Sequence, residues 1–295
     1  MNKVREIFSQ SDMLMRLIYI NLGVFLLLNI ILVVASLTNN YGFFTEHGED
    51  LFLASTSNVK MLLYRPWSVF TYMFTHIDFW HIFWNMFMLF VFGKIMMTFL
   101  GPRKLLSMYL LGGLAGFLLY IIAFNIFPAL DVNSTIVGAS AAIMAIVVAM
   151  AAYMPNYTLN LILIGPVKLQ YIAMFYVVLD FVSIRMMENT GGHIGHLGGA
   201  VYGFVWGWNY RLGRDYSSWF ELLLDRFFNL FKRGRGRFKV VKKAGTRVPK
   251  SDEDYNADKL KRQQRVDAIL DKISKAGYDS LSKEEKDFLF KHSKS

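Results

Sequence analysis

The chain has 295 residues, of which 54% are hydrophobic and only 18% are charged. Soluble domains contain about 25% charged residues, so this composition argues against a soluble enzyme and against a disordered chain. The absence of cysteine excludes disulfides, thiolate metal sites and a cysteine nucleophile. Almost all of the net charge of +10 lies in residues 211–295, which indicates an apolar body followed by a basic tail.

Six stretches are apolar and long enough to be interpreted as membrane-spanning helices, which need about 20 residues each. Spans 1 to 6, in chain order, cover residues 15–37, 79–100, 104–127, 137–154, 167–187 and 193–211. Lysine and arginine concentrate before span 1, around the turns that join spans 2 and 3 and spans 4 and 5, and after span 6. Because such residues favour the cytoplasmic side, both termini are predicted to be cytoplasmic, and spans 2, 4 and 6 begin at the outer surface.

The first predicted elements are span 1 and the long segment that follows it. Span 1 is apolar over residues 17–37, which is too long for the apolar region of a signal peptide, so we predict a retained anchor. Residues 38–78 mix aromatic and charged side chains, and a structureless loop of this length is uncommon. We therefore expect this segment to lie on or in the outer interface of the membrane.

Polar residues lie at the beginnings of spans 2 and 4. His81 and Asn85 are four residues apart, so they share one face of span 2. Ser140 lies among small residues in span 4. On their own, the histidine and the asparagine are equally explained as hydrogen-bonding partners between helices, and the serine as a packing residue. Unsatisfied polar groups are costly inside a membrane, however, so each of them is also a candidate functional residue.

Span 6 carries a glycine at every fourth position, a spacing that lets a neighbouring helix approach within backbone contact. Span 4 carries alanines at the same spacing, so we predict that spans 4 and 6 pack together and that Ser140 approaches His196. The small residues concerned are Gly195, Gly199, Gly203 and Gly207 in span 6 and Ala141, Ala145 and Ala149 in span 4.

The polar residues of spans 2, 4 and 6 are predicted to lie at similar depth, because all three helices begin on the same side of the membrane. Their chemistry favours acyl transfer, with Ser140 as nucleophile and His196 as general base. The Asn85 amide, the His81 ring and the N-terminus of span 4 would stabilise the oxyanion. No acidic residue is predicted to orient the base, so the pair is a Ser-His dyad. Asp180, in span 5, is interpreted as a structural residue with no identified partner.

Three spaced motifs carry a resemblance to a known family. They are His81-x-x-x-Asn85, Gly138-x-Ser140 and His196-x-x-Gly199-x-x-x-Gly203, with His76 five residues before the first motif. In this order, over residues 15–211, they resemble the rhomboid family of intramembrane serine proteases. The resemblance implies an all-α polytopic membrane protein, a six-helix rhomboid-like bundle with a cytoplasmic C-terminal tail.

The resemblance also implies roles for individual residues. Ser140 would be the nucleophile and His196 the base and then the acid, while Asn85 and His81 would form part of the oxyanion hole. No metal or cofactor is needed. The substrate would be a membrane protein whose spanning segment enters beside spans 2 and 5 and is cut near the outer surface, with small residues before the cut and helix-weakening residues after it. Residues expected to serve packing are Gly138, Gly199 and Gly203.

The chain departs from the family pattern at three positions. Ser68 follows Trp67 where many members have arginine, Ala141 follows the serine where many have glycine, and Met144 replaces an aromatic residue one turn later. None of these changes removes a catalytic group. They affect the expected rigidity of the loop before span 2, the backbone beside the serine and the placement of the histidine.

Two alternatives to a protease remain open at the level of sequence. One is a catalytically inactive rhomboid-like factor that binds or traffics membrane proteins. The other is a metal-binding or transport protein, although zinc and iron sites in membranes usually add carboxylates and only Asp78 lies near the histidines. His193 competes with His196 for the role of base, but it lacks glycines three and seven residues later. The histidines that would bind a metal are His76, His81, His193 and His196.

The domain organisation follows from charge and hydropathy. Residues 1–211 are predicted to form the protease domain, and residues 212–250 an interfacial helix and a basic linker that faces anionic lipids. Residues 251–295 are predicted to form a small helical cytoplasmic tail. No nucleic-acid-binding motif accompanies the basic charge, so we expect no nucleic-acid partner. The predicted location is the plasma or inner membrane, crossed several times.

Overall fold

The computed structural model describes residues 11–38, 53–162, 164–231, 265–266, 268–269, 271–273 and 280–292. The chain divides into two compact units between Lys232 and Arg233. The first unit holds all of the predicted site residues. In the second unit the described helix runs from Lys283 to His292, and Lys272 pairs with Glu285 at 3.0 Å.

The described part of the first unit is mostly helical, with two short pairs of antiparallel strands, of which the second is a hairpin. Strand β1 (Ser55–Thr56) pairs with β2 (Thr135–Ile136), and β3 (Thr158–Leu161) pairs with β4 (Gly165–Lys168). Short 3₁₀ turns cover Tyr72–Phe74 and Ile184–Met186. The helices are α1 (Met13–Leu37), α2 (Val59–Tyr64), α3 (Ser68–Thr71), α4 (Phe79–Leu100), α5 (Pro102–Ile126), α6 (Ser140–Tyr153), α7 (Leu169–Ser183), α8 (Thr190–Arg211) and α9 (Ser218–Phe231).

Helices are present at the positions of all six predicted spans, and four of them are long and apolar enough to cross a membrane. These four are α1, α4, α5, and α7 together with its 3₁₀ extension, Leu169–Met186. The apolar α6 has only 14 residues and is about 21 Å long, whereas the hydrocarbon core is about 30 Å thick. Helix α8 has 22 residues, but its glycines and histidines reduce its hydropathy. The chain is therefore a helical membrane protein with four spans identified by length and composition.

Helix α6 begins three residues later than predicted span 4. Residues 137–139 are not helical, and α6 begins at Ser140 itself. The cause is Gly138, whose φ of +112° is incompatible with a right-handed helix. Hydropathy did not distinguish these apolar residues from the helix that they precede, because it contains no backbone information.

Helix α6 lies at the centre of the bundle. All of its residues from Ala141 to Ala152 are buried, and it packs mainly against α8, α5 and α4. A helix that is apolar on every face belongs in the middle of a bundle rather than at its surface. The polar N-terminus of α6 is consequently enclosed by its neighbours.

The small residues of α6 and α8 pack together as predicted. A Cβ atom placed on Gly199, Gly203 or Gly207 would lie only 2.1–2.3 Å from a carbonyl oxygen of α6. The backbones therefore touch, which is possible only where one helix has no side chain. The three carbonyls belong to Ala141, Ala145 and Ala149.

The segment before α4 packs into the bundle as well as lying at its edge. Tyr72 and Met73 are fully buried, and the Tyr72 hydroxyl donates to the carbonyl oxygen of Gly113 in α5 at 2.6 Å. The Tyr109 hydroxyl in turn donates to the Met73 carbonyl at 2.8 Å. These bonds fix the loop that leads to α4. Residues 39–52, in the first part of the predicted interfacial segment, lie outside the described residues.

An ion-pair cluster joins the beginning of α5 to α9. The nearly buried Lys104 ammonium group donates to Asp215 and Glu221, and it lies 3.3 Å from Ser217 Oγ. Arg103 pairs with Asp225 at 3.2 Å. These contacts hold the predicted interfacial helix against the bundle. The basic linker predicted over residues 232–250 lies outside the described residues.

Candidate active site

A cavity of about 600 Å³ lies among α4, α6, α7 and α8. Its volume is in the range of ligand-binding sites, and its lining is mostly apolar with a few polar groups. The structure therefore brings into one cavity the residues that the sequence predicted for catalysis, although they lie on three different helices. The polar residues of the lining include His81, Asn85, Ser140, Asp180 and His196.

The loop before α6 places Ser140 at the first position of that helix. The Gly138 N–H donates to the Tyr72 carbonyl at 2.9 Å, which ties this loop to the segment before α4. Glycine is required here, because a Cβ would lie 2.6 Å from His81 Nε2 and because φ is +112°. The close approach brings the His81 ring beside the backbone that precedes Ser140.

His76 also contacts the loop before α6. Its Nε2 atom accepts a hydrogen bond from the Ala139 N–H at 3.3 Å, and its ring packs edge-on against His81, with 5.0 Å between the ring centroids. Burial, reinforced by the nearby His81, lowers the pKa of His76 to about 3. The ring is therefore neutral at physiological pH, as an acceptor from a backbone N–H must be.

Two side chains of α4, the Asn85 amide and the His81 imidazole, line the cavity that contains Ser140. The Asn85 Nδ2 atom donates to the His81 carbonyl at 2.8 Å, and a primary amide has a second N–H for another acceptor. Asp78 caps the helix by accepting from the His81 N–H at 2.9 Å. Asn85 and His81 are thus held on the cavity side of α4, close to a helix N-terminus that favours negative charge.

His196 has an acidic partner, so the prediction that no acidic residue orients it is wrong. Its Nδ1 atom lies 2.8 Å from Asp180 Oδ1, and His193 Nδ1 lies at the same distance from the same oxygen. Asp180 is only 6% exposed. Sequence reasoning missed this contact because it joins two helices, but a carboxylate inside a predicted span was the signal that could have revealed it.

Ser140 and His196 line the same cavity, but no hydrogen bond joins them among the described residues. Hydrogen bonds between a nucleophile and its base are often long without substrate and shorten when substrate binds. Because the Nδ1 atom of His196 contacts Asp180, Nε2 is the ring nitrogen that is available to form a hydrogen bond with Ser140.

The histidines predicted for an alternative metal site are divided into two pairs. His76 contacts His81, whereas His193 and His196 share Asp180. Within the described part of the chain, the group whose ligand atoms are close enough to hold a metal ion is Asp180, His193 and His196, with these atoms within 4.8 Å of one another.

The structure accommodates the departures from the family pattern. The Ala141 methyl group occupies space left by Gly116 of α5, where a Cβ would lie 2.5 Å from it. Ser68 is buried and its hydroxyl lies 3.1 Å from that of Ser55 in β1, which provides a polar contact for this loop. Met144 lines the cavity one turn after the serine.

Comparison with known proteins agrees with the resemblance to the rhomboid family. The rhomboid domain model matches residues 64–212, and a family of unknown function, DUF6576, matches residues 250–295. A similar protein is the "RHOMBOID-like protein 12, mitochondrial" of Arabidopsis thaliana, which is 29% identical over 217 residues. The match covers 70% of this chain and 60% of that relative, so the chain spans less than two thirds of the relative's length. The rhomboid domain model covers just over half of the residues of this chain, and the chain therefore belongs to the rhomboid family.

Proposed function

We propose that this chain is an intramembrane serine endopeptidase that cleaves membrane-spanning segments near the extracytoplasmic surface. The observation that carries the proposal is one cavity lined by Ser140 at a helix N-terminus, by His196 on a facing helix, and by Asn85 and His81 on a third helix. A nucleophile, a base and donors that converge in this way are the requirements of acyl transfer.

The reaction follows the chemistry of activated serine. His196 Nε2 removes the proton from Ser140 Oγ as it attacks the peptide carbonyl carbon, and the resulting oxyanion accepts hydrogen bonds from Asn85, His81 and the Ser140 N–H. The imidazolium then protonates the leaving amine. Water attacks the acyl-enzyme, again with His196 as base, and restores the serine. The proposed chemistry requires no metal or cofactor.

The cavity also suggests how a substrate helix enters. Trp80 and Trp84 of α4 and Tyr176 of α7 line it, and both tryptophans are largely exposed on the outer face of the bundle. The Tyr176 hydroxyl donates to Met88 Sδ at 3.7 Å, which is a weak contact across this opening. We propose that a spanning segment enters from the bilayer between α4 and α7.

The proposed setting is a cell membrane that the chain crosses six times, with both termini in the cytoplasm. Helices α6 and α8 supply the two additional crossings. Helix α6 is enclosed by its neighbours, whereas α8 exposes apolar side chains such as Val201 and Phe204 on the outside of the bundle. We propose that residues 1–211 form the protease domain, that residues 212–250 lie along the cytoplasmic face and contact anionic lipids, and that residues 251–295 form a separate tail. The nine Lys and Arg residues of 232–250 and the exposed apolar face of α9 support this arrangement.

A fluorophosphonate probe tests the proposal without knowledge of the natural substrate. Such probes react with serines that a base has activated. We expect mass spectrometry of the labelled wild-type protein to find the adduct on Ser140 and the His196→Ala variant to remain unlabelled. An adduct on another residue, or no adduct on folded wild-type protein, would contradict the proposal and favour an inactive rhomboid-like binding factor.

Crosslinking α4 to α7 tests the proposed route of entry. Because the chain has no cysteine, a Met88→Cys, Tyr176→Cys double variant contains one unique thiol pair. A short cleavable crosslinker between them should lower cleavage of a membrane-spanning substrate by at least about tenfold, because the opening can no longer widen. Labelling by the small fluorophosphonate should remain within about twofold of the uncrosslinked value.

The single-cysteine variants, treated with the same reagent, control for modification of either side chain alone. Release of the crosslink should restore cleavage. If the crosslinked protein cleaves the substrate at its original rate, entry between α4 and α7 is refuted while the catalytic proposal stands.

A further inference from the structure

We propose that Asp180 is a positioning residue for His196, so that the site is a Ser140–His196–Asp180 chain rather than a dyad. The inference rests on the proposed protease function. It arises from a cluster on α7 and α8 that the dyad mechanism leaves unused. In this cluster one carboxylate oxygen contacts the Nδ1 atoms of two histidines.

The shared oxygen determines how protons are arranged. An ionised carboxylate only accepts hydrogen bonds, and one oxygen can accept two of them. Each imidazole therefore donates from Nδ1. For His196 this fixes the tautomer with hydrogen on Nδ1 and leaves the lone pair on Nε2, the nitrogen that has to take the serine proton. Asp180 also stabilises the imidazolium that forms during the reaction.

The burial of Asp180 explains why a second histidine is present. A carboxylate that is 6% exposed within a span is costly unless it is hydrogen-bonded. His193 supplies a second donor to the same oxygen, and it does not line the cavity. We therefore assign His193 the role of holding the carboxylate in place, and this geometry gives His196 the role of base.

The position of the cluster links it to the reaction. Asp180 and His196 both line the cavity that contains Ser140, whereas the contact between them is formed at Nδ1, on the far side of the ring from Nε2. Rotation of the imidazole would break the contact with Asp180. The carboxylate therefore restricts the ring to orientations that keep Nε2 directed away from α7.

Asp180→Asn is the decisive variant. An amide is close to a carboxylate in size, but it can donate to Nδ1 and so stabilise the wrong tautomer, a change that costs about 10⁴-fold in kcat in a serine protease triad. We expect kcat to fall by about 100-fold or more with KM within about threefold of wild type, and fluorophosphonate labelling to slow in parallel. His193→Phe should lower kcat by a smaller factor.

The matched control is Asp225→Asn. This variant makes the same substitution in α9, where Asp225 pairs with Arg103 outside the cavity, and it should leave kcat unchanged. Added formate should partly restore the activity of Asp180→Ala, whereas an equal concentration of chloride should not. Formate supplies the missing carboxylate to His196, and a merely structural role of Asp180 would not respond to it.

The outcomes separate this inference from the proposed function. Wild-type activity that requires Ser140, together with Asp180→Asn kcat within threefold of wild type, would overturn the role of Asp180 alone. Failure of every Asp180 variant to fold would also overturn it, because the carboxylate would then be structural. Stoichiometric zinc in the purified protein, with activity lost on chelation and restored by added zinc, would make the cluster a metal site instead. Fluorophosphonate labelling of the Ser140→Ala variant at the same level as wild type would refute the protease proposal itself.

Discussion

Replacing Ser140 with alanine is expected to abolish cleavage of a membrane-spanning substrate in liposomes. The variant lacks the only atom proposed to attack the peptide bond, and loss of the serine or histidine from a serine protease lowers kcat by about 10⁶-fold. His196→Ala should lower it by at least about 1,000-fold, because the hydroxyl then has no base. Product formation is measured by gel and by mass spectrometry of the fragments, which also locates the cut.

Ser107→Ala is the matched control for the serine variant. Ser107 is buried in α5 and its hydroxyl has no hydrogen-bond partner among the described residues, so the substitution removes a similar atom away from the cavity. It should retain wild-type activity. Equal product from wild type, Ser140→Ala and His196→Ala would show that another nucleophile or a contaminating protease is responsible.

Gly199→Ala is expected to prevent α6 and α8 from packing. The added methyl group would lie 2.1 Å from the Ala141 carbonyl oxygen, a contact with backbone that no rotamer can relieve. We expect destabilisation of more than about 3 kcal/mol, because the helices have to move apart along their whole contact. Thermal unfolding in detergent and the monodispersity of the purified protein measure the effect, and cleavage should be lost with the fold.

Gly23→Ala provides the comparison. Gly23 lies in α1 with no atom within 4 Å of an added Cβ, so this variant makes the same chemical change in open space. Its stability should equal or slightly exceed that of wild type, since alanine favours helix more than glycine does. Equal stability of the two variants would show that the α6–α8 backbone contact is not required.

Much of the bundle could be predicted from the sequence because hydropathy and small-residue spacing are local signals. The contact between α6 and α8 follows from glycines and alanines repeated every fourth residue, and it is present. The start of α6 was not predictable in the same way. It depends on the positive φ of Gly138 and on hydrogen bonds to Tyr72 and His76, which lie more than 60 residues earlier.

The partner of Asp180 shows the limit of sequence reasoning at the site. Asp180 is 13 and 16 residues from its two histidines, in a different helix. What brings them together is the turn between α7 and α8, where Met187 and Asn189 have left-handed backbone conformations, with φ of 57° and 50°. The sequence of a helix shows which residues share a face, but not which neighbouring helix that face meets.

The C-terminal tail is predicted to be a separate small helical region. Of the predicted small helical domain, the described helix is Lys283–His292, and the region matches a family of unknown function. The predicted contact of residues 232–250 with anionic lipids depends on charge alone and stays a prediction.

The shortness of α6 has a consequence for how this protein is made. A 14-residue helix is too short to be inserted into the bilayer as an independent span, and α8 has a composition too polar for efficient insertion by itself. In the proposed topology both have to enter together with neighbours that are already in place, and the backbone contact between them provides the reason to do so. The same glycines that pack the mature bundle would therefore act earlier, during biosynthesis, by retaining α8 in the membrane.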